Sequence, residues 1–170
     1  LSRDIVCQKL SAYGFDRTSV EWFNSYLSQR EQCVMIGSTL SKPTTLTVGS
    51  PQGSILSPTI FIILLSDIEL WCQGASLCGY ADDTTCSVTN KDLKMLQINL
   101  EDSVNDLLKY MANKLSANDD KTKVLVMKHG SNDEELSFKI GNSNIKETKN
   151  EKLLGLWVSN DLNWSKHIEE

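Results

Sequence analysis

Asp82 and Asp83 stand side by side in Gly79-Tyr80-Ala81-Asp82-Asp83-Thr84-Thr85, between two short runs of strand-forming residues. Adjacent carboxylates at a hairpin tip repel, and one of them protonates unless a cation neutralises the pair. A divalent metal is the usual cation, and paired metals bridged by carboxylates clamp the attacking and leaving oxygens of a phosphoryl transfer. Taken alone, the pair also reads as a solvated turn, where Asp is a favoured residue. A second landmark is the loop Val48-Gly49-Ser50-Pro51-Gln52-Gly53-Ser54-Ile55-Leu56-Ser57-Pro58. Its two glycines flank Pro51-Gln52 and let backbone come close to a ligand. The helix that follows offers free N–H groups at its N-terminus, a favourable place for phosphate or sugar. By itself, a Gly-Pro loop before a buried helix is usually a plain connection.

The elements that must position these residues follow from periodicity and punctuation. Asp4 to Tyr13 reads as a helix with Ile5, Leu10 and Tyr13 inward, stopped by Gly14. Thr18-Ser19-Val20-Glu21 has the form of a capping box and opens a helix burying Trp22, Phe23, Tyr26 and Leu27. Gln32–Ile36 and Thr44–Val48 are expected to pair around Gly37-Ser38. Residues 54–71 are a strongly apolar helix that must be buried. Leu77–Tyr80 and Thr85–Val88 flank the aspartates as a hairpin. From Leu93 through Leu96, Leu100, Val104, Leu107 and Met111 to Leu115, apolar residues step by three and four. That pattern turns one face of a helix over 90–115 inward, with Thr89 and Asp92 as its cap. Lys123–Met127, Leu136–Ile140, Ile145–Thr148 and Leu153–Val158 read as strands, the middle two joined at Gly141-Asn142. Mixed helices and hairpins without strict alternation predict an α+β domain on an antiparallel sheet.

The totals set bounds. The chain of 170 residues suits one domain with a real core. A net charge of −5 gives no electrostatic footprint for nucleic acid. The acidity is concentrated: residues 61–120 carry ten acidic and four basic side chains, whereas 121–170 carry eight of each. Cys7, Cys33, Cys72, Cys78 and Cys86 form an odd set without a C-x-x-C, so they read as reduced thiols of an intracellular protein. Nuclear and cytoplasmic placement are equally compatible with the sequence. The longest apolar run, Ile60 to Leu65, is too short to span a bilayer, and no membrane partner is expected.

Taken together, the motifs resemble reverse transcriptases, specifically those of non-LTR (LINE-type, jockey-like) retrotransposons. Tyr80-Ala81-Asp82-Asp83 looks like that family's metal motif. Leu10-Ser11-Ala12-Tyr13-Gly14-Phe15, Trp22-Phe23-Asn24-Ser25-Tyr26-Leu27-Ser28-Gln29-Arg30 and the Pro-Gln-Gly-Ser stretch look like its connecting segment and its template- and nucleotide-contacting motif. Asn113-Lys114-Leu115 with Asn118, Lys121 and Thr122 resembles the next motif. Leu154-Gly155-Leu156-Trp157-Val158, followed by Asp161, Leu162 and Trp164-Ser165-Lys166-His167-Ile168, resembles the segment bordering the primer.

The resemblance implies a polymerase palm: an antiparallel sheet backed by helices 54–71 and 90–115, with the aspartate hairpin at its edge. It implies RNA-directed DNA synthesis, in which two Mg²⁺ ions (or Mn²⁺ as substitute) assist attack of a primer 3′-hydroxyl on a deoxynucleoside triphosphate. Template RNA and primer DNA are the implied partners. Asp82 would be a direct metal ligand and Asp83 a weaker one. Tyr80 and Ala81 would lie near the primer end and the incoming nucleotide, and Gln52, Gly53 and Ser54 against nucleotide and template. Lys121 would stabilise or protonate the leaving pyrophosphate, where a lone lysine is otherwise a surface residue. Gly155 would let the primer-side backbone turn closely, or else allow tight strand packing. Trp22, Trp157 and Trp164 could be mistaken for base-stacking platforms; Trp22 falls on the apolar face of a helix and is assigned to core packing. His167 is expected at the start of a surface helix. Arg3, Ser57, Tyr110 and Ala117 depart from the family's common residues. In the family another metal-binding Asp precedes the segment that begins at Leu1, so the expectation for residues 1–170 is a partial domain, without the upstream fingers and first catalytic strand, that polymerises nothing alone. The competing readings are a retrotransposon-derived relic or binding fragment without catalysis, and another reverse-transcriptase lineage.

Overall fold

The computed structural model describes residues 2–46, 49–51, 53–112, 121–128 and 135–169. Of these, the residues within 2–71, 80–83 and 109–112 form one compact unit, and those within 72–79, 84–108 and 121–169 form another.

The first unit begins with α1 (Arg3–Ala12) and α2 (Arg17–Leu27). Gly14, at φ 84°, makes the turn between them in a conformation that favours glycine. The cap of α2 is Asp16, not the expected box at Thr18: its carboxylate accepts from the Ser19 backbone N–H at 2.9 Å and from the Ser19 hydroxyl at 2.8 Å. Those donors hold the Asp16 carboxyl below its ordinary range. Two nested ladders follow. β1 (Arg30–Gln32) pairs antiparallel with β4 (Thr44–Leu46), and inside it β2 (Met35–Ile36) pairs with β3 (Thr39–Leu40). The single expected pairing of 32–36 with 44–48 is thus divided, because Gly37 at φ 60° closes a tight turn that reaches only as far as β2 and β3. Thr47 and Val48 lie outside the described residues. α3 (Leu56–Leu65) completes the core, where Val6, Leu10, Ile60 and Leu64 are fully buried. Ile5, Val20, Phe23, Tyr26, Leu27, Leu56 and Ile63 pack around them.

The apolar run 54–71 is not one buried helix. α3 ends at Leu65, the Ser66 hydroxyl bonds the Ile63 carbonyl, and a short 3₁₀ turn follows at Ile68–Leu70. A helix with no polar stripe still buries only one side, here the one bearing Ile60 and Leu64; Ile55 and Ile62 remain 92% and 67% exposed. Tyr13 and Trp22, expected inward, are also exposed.

β5 (Ser76–Tyr80) and β6 (Asp83–Ser87) form a hairpin whose residues 76–79 and 84–87 belong to the second unit. That unit also holds most of α4 (Leu93–Ala112) and a three-stranded sheet ordered β7 (Val124–Leu125), β9 (Ser143–Thr148), β8 (Ser137–Ile140). β8 and β9 run antiparallel, β7 and β9 parallel. Asp92, not Thr89, caps α4, its carboxylate accepting from the N–H groups of Lys94 at 2.8 Å and Met95 at 3.1 Å. Leu93, Leu96, Leu100 and Val104 pack on Val124, Val126, Leu136, Phe138 and Ile140, as the periodicity predicts, and Leu108 joins them where the spacing leads one to expect Leu107; Leu107 is buried but is not part of this cluster. The adjacent polar column on α4 closes the open edge of the sheet. Gln97 donates to the Ser137 carbonyl, Glu101 accepts from the Lys139 N–H, and Asn105 accepts from the Gly141 N–H. Those bonds occupy backbone groups that an edge strand leaves unpaired. Leu115 lies outside the described residues.

The expected strand 153–158 is instead a hairpin, β10 (Asn150–Leu153) with β11 (Leu156–Ser159), followed by α5 (Ser165–Glu169). The architecture is α+β. The strands among the described residues are spread over five small sheets, mostly antiparallel, rather than gathered in one.

Candidate active site

Strand-forming residues on either side of Ala81-Asp82 make β5 and β6 a hairpin with a two-residue turn, and at its end Ser87 Oγ lies 3.4 Å from the Ser76 carbonyl. Tyr80, Ala81, Asp82 and Asp83 are brought together at the tip and all four are exposed. Ala81 sits at φ 52°, the left-handed region, where an alanine stands about 1–2 kcal/mol less favourably than a glycine. The turn is therefore held by its flanking ladder against a local preference. Asp83 opens β6 and Asp82 lies in the turn, so the two carboxylates leave the backbone at different points of one tight bend. Hard, anionic oxygens in this placement suit Mg²⁺ or Mn²⁺. Two carboxylates are a partial ligand set, and among the described residues no group of three or more His, Cys, Asp or Glu side chains gathers to hold a metal ion.

In the Pro-Gln-Gly-Ser loop, Gln52 lies outside the described residues. Gly53 is exposed at φ 77°, with nothing within 4 Å of where a Cβ would stand. Its backbone is open to approach. Ser54 is more engaged: its hydroxyl accepts from the Leu56 N–H at 3.2 Å and bonds the Tyr26 hydroxyl, while the Ser57 hydroxyl donates to the Pro51 carbonyl at 2.7 Å. These bonds fix the loop to the start of α3 and to α2.

Lys121 is exposed ahead of β7. Asn113, Lys114 and Asn118 lie outside the described residues. Gly155 is a turn residue: Leu154 at φ 49° and Gly155 at φ 88° form the β10–β11 bend, and open space surrounds the missing Cβ. Tight strand packing is therefore not the reason for this glycine. Trp157, on β11, is flanked by two ammonium groups, Lys152 at 5.8 Å and Lys166 at 5.2 Å from its ring, and Trp164, just ahead of α5, packs on His167. Trp157 is half-buried and Trp164 exposed.

Sequence reasoning missed a polar cluster in the first unit. The Lys9 ammonium donates to the Leu64 carbonyl at 2.6 Å and pairs with Asp67, and the Tyr110 hydroxyl bonds Asp67 and the Leu64 carbonyl. The available signal was Lys9 itself, on the same helical face as Val6 and Leu10. Burial, then the bond to Asp67 and its charge, push the Tyr110 hydroxyl well above its ordinary value.

A family model described as reverse transcriptase (RNA-dependent DNA polymerase) matches residues 2–158. A search of curated proteins gave no match. The matched stretch runs from α1 through the aspartate hairpin and α4 to β11, nearly the whole length of the sequence, and the chain belongs to the reverse transcriptase family.

Proposed function

We propose that this chain is the core of an RNA-directed DNA polymerase of the non-LTR, LINE-type (jockey-like) class, built on a palm-like fold, and that Asp82 and Asp83 are its metal-binding carboxylates. The observation that carries the reading is the exposed aspartate pair on a tight hairpin inside a chain matched by the reverse transcriptase family over residues 2–158. Reverse transcriptase domains generally use divalent ions and act on nucleic acid and nucleotides. Mg²⁺, when bound, would supply charge stabilisation for the oxygens of the transferring phosphate.

The chain's own residues do the rest. Asp82 and Asp83 present anionic oxygens at the hairpin tip. Tyr80 and Ala81, on the same tip, border the primer end and the nucleotide. Gln52 and the open backbone of Gly53 lie against nucleotide and template, with Ser54 holding that loop in place through its bonds to Leu56 and Tyr26. Lys121 offers a proton or a positive charge to the leaving pyrophosphate. Gly155 turns the primer-side hairpin. Among the described residues these two carboxylates are only a partial set for a two-metal site, and on this reading residues 1–170 alone bind the metal weakly and do not sustain synthesis. A relic that only binds a partner is the competing reading.

Mn²⁺ binding followed by water-proton relaxation tests the assignment. The expected dissociation constant is on the order of millimolar and is lost in Asp82→Asn. Binding that ignores Asp82→Asn and Asp83→Asn refutes the carboxylate assignment. Robust primer extension on an RNA template by residues 1–170, abolished by Asp82→Asn, overturns the expected inactivity and the relic reading together.

A further inference from the structure

Three aromatic rings around the start of α2 stand as the walls of a small open box. Phe15, Trp22 and Phe23, with Thr18 and Ser19, line a shallow cavity of about 280 Å³ in the first unit. The Phe23 ring lies at 82° to Phe15 and at 89° to Trp22, with ring centres 6.2 and 5.1 Å apart. Phe15 is 43% and Trp22 53% exposed, so the box is open to a ligand. Its walls offer π-electrons and acceptors, for none of the described residues lining it is basic. The Ser19 hydroxyl donates to Asp16 at 2.8 Å, which commits its proton and sets the Asp16 carboxylate against the wall. Two bonds from Ser19 keep that carboxylate ionised at neutral pH. Beside it, Arg17 pairs with Glu21 at 2.7 Å, so residues 16–21 carry two acids and one base. Asp16 also offsets the positive end of the α2 dipole, which otherwise repels a cation. The same row of rings already carries one cation: Trp22 stacks on Tyr26 at 5.5 Å, and the Arg30 guanidinium lies 5.6 Å from the centre of the Tyr26 ring.

We propose that this box binds a quaternary ammonium group, presented as the trimethylated lysine of a basic peptide segment. A quaternary ammonium has no N–H to satisfy, and rings at right angles attract it from several sides while its methyl groups fill the apolar space. A guanidinium is planar and uses one face, as Arg30 does on Tyr26. An unmethylated lysine loses its hydrogen bonds to water on entry. The choline headgroup of a lipid carries the same cation, but brings a phosphate against Asp16; neighbouring Lys and Arg residues of a peptide are drawn to that carboxylate instead. Nucleic acid finds no cation in the walls to meet its phosphates. The proposal stands independently of the polymerase reading.

The test is fluorescence anisotropy of a short labelled Lys/Ala peptide carrying one trimethyllysine, titrated with residues 1–170. It is expected to bind about tenfold more tightly than the same peptide with unmodified lysine, or with an uncharged analogue in which a tert-butyl group replaces the trimethylammonium. Trp22→Ala should weaken binding about tenfold. Asp16→Asn keeps a side-chain cap on α2 and should weaken it about threefold, with a shallower dependence on salt. Should Trp22→Ala not fold, Asp16→Asn and the uncharged analogue still decide. Absence of binding, equal binding of the unmodified lysine or of the uncharged analogue, or binding that ignores both substitutions overturns the proposal. So does Trp22-dependent association with phosphatidylcholine vesicles or single-stranded RNA in place of the peptide.

Discussion

Lys9→Met tests how the first unit is fastened. The Lys9 ammonium is a hub: it donates to the Leu64 carbonyl at 2.6 Å, pairs with Asp67, lies 3.4 Å from the Tyr110 hydroxyl and sits 5.8 Å from the centre of the Tyr110 ring. It thereby joins α1 to the end of α3 and to the last turn of α4. Removing one partner of a fully buried ion pair destabilises by about 3–5 kcal/mol. Here the Lys9 side chain is 12% exposed but that of Asp67 is 33%, so water takes over part of the carboxylate. The expected loss falls to about 2–3 kcal/mol. Tyr110→Phe removes a hydroxyl bonded to a charged group and should lose about 1–2 kcal/mol. The double variant should lose less than the sum, because Lys9 and Tyr110 share Asp67 and Leu64.

The pH dependence supplies a second readout. Burial and Asp67 favour the protonated Tyr110 in the folded chain, so its folded value lies above that of the unfolded chain, about 10. Stability from this source is whole below about pH 10 and falls above it, by up to about 1.4 kcal/mol per pH unit, as the phenol ionises first in the unfolded state. Cys86 has the same sign from a lower start, so the difference between wild type and Tyr110→Phe isolates the tyrosine. Urea unfolding followed by tryptophan fluorescence suits the measurement, since the Trp71 ring lies 5.9 Å from Tyr110. A Lys9→Met variant within about 0.5 kcal/mol of wild type would refute the hub. So would a Tyr110→Phe variant that keeps the full alkaline decline.

Phe138 is fully buried against the α4 stripe, and Phe138→Ala should destabilise by about 3–5 kcal/mol in urea titrations, with little loss if the site collapses. Asp92→Ala removes the acceptor for the Lys94 and Met95 N–H groups and should lose about 1 kcal/mol, read as a lower melting temperature; Thr89→Ala should do almost nothing. Ala81→Gly relieves the left-handed strain and should leave stability unchanged or raise it by up to about 1 kcal/mol, the gain being offset by greater freedom in the unfolded chain; Ala81→Val should lose more than it. Equal stability of the Gly and Val variants would show that the turn imposes no positive φ.

What the sequence made legible was whatever repeats or punctuates. The α4 stripe and the Gly141-Asn142 turn appear where periodicity and turn chemistry place them, because a three-four spacing selects one buried face and a two-residue turn sets its own register. The aspartate tip was legible for the same reason. The run 54–71 was misread because it is apolar on every side: nothing local distinguishes Ile60, fully buried, from Ile62, exposed, and the choice is made by α1 and α2. Trp22 shows the converse, an aromatic at a helical inward spacing that ends on the surface, stacked on Tyr26 at 5.5 Å rather than packed in a core. The Lys9–Asp67–Tyr110 cluster left only Lys9, on the apolar face of α1, as a mark, because it joins residues far apart in sequence and charge has no period. For the candidate site this has a direct consequence. The carboxylates that sequence can find are adjacent ones; a third metal ligand brought in by tertiary contact leaves no local mark, so it must be sought by metal binding and substitution rather than by spacing.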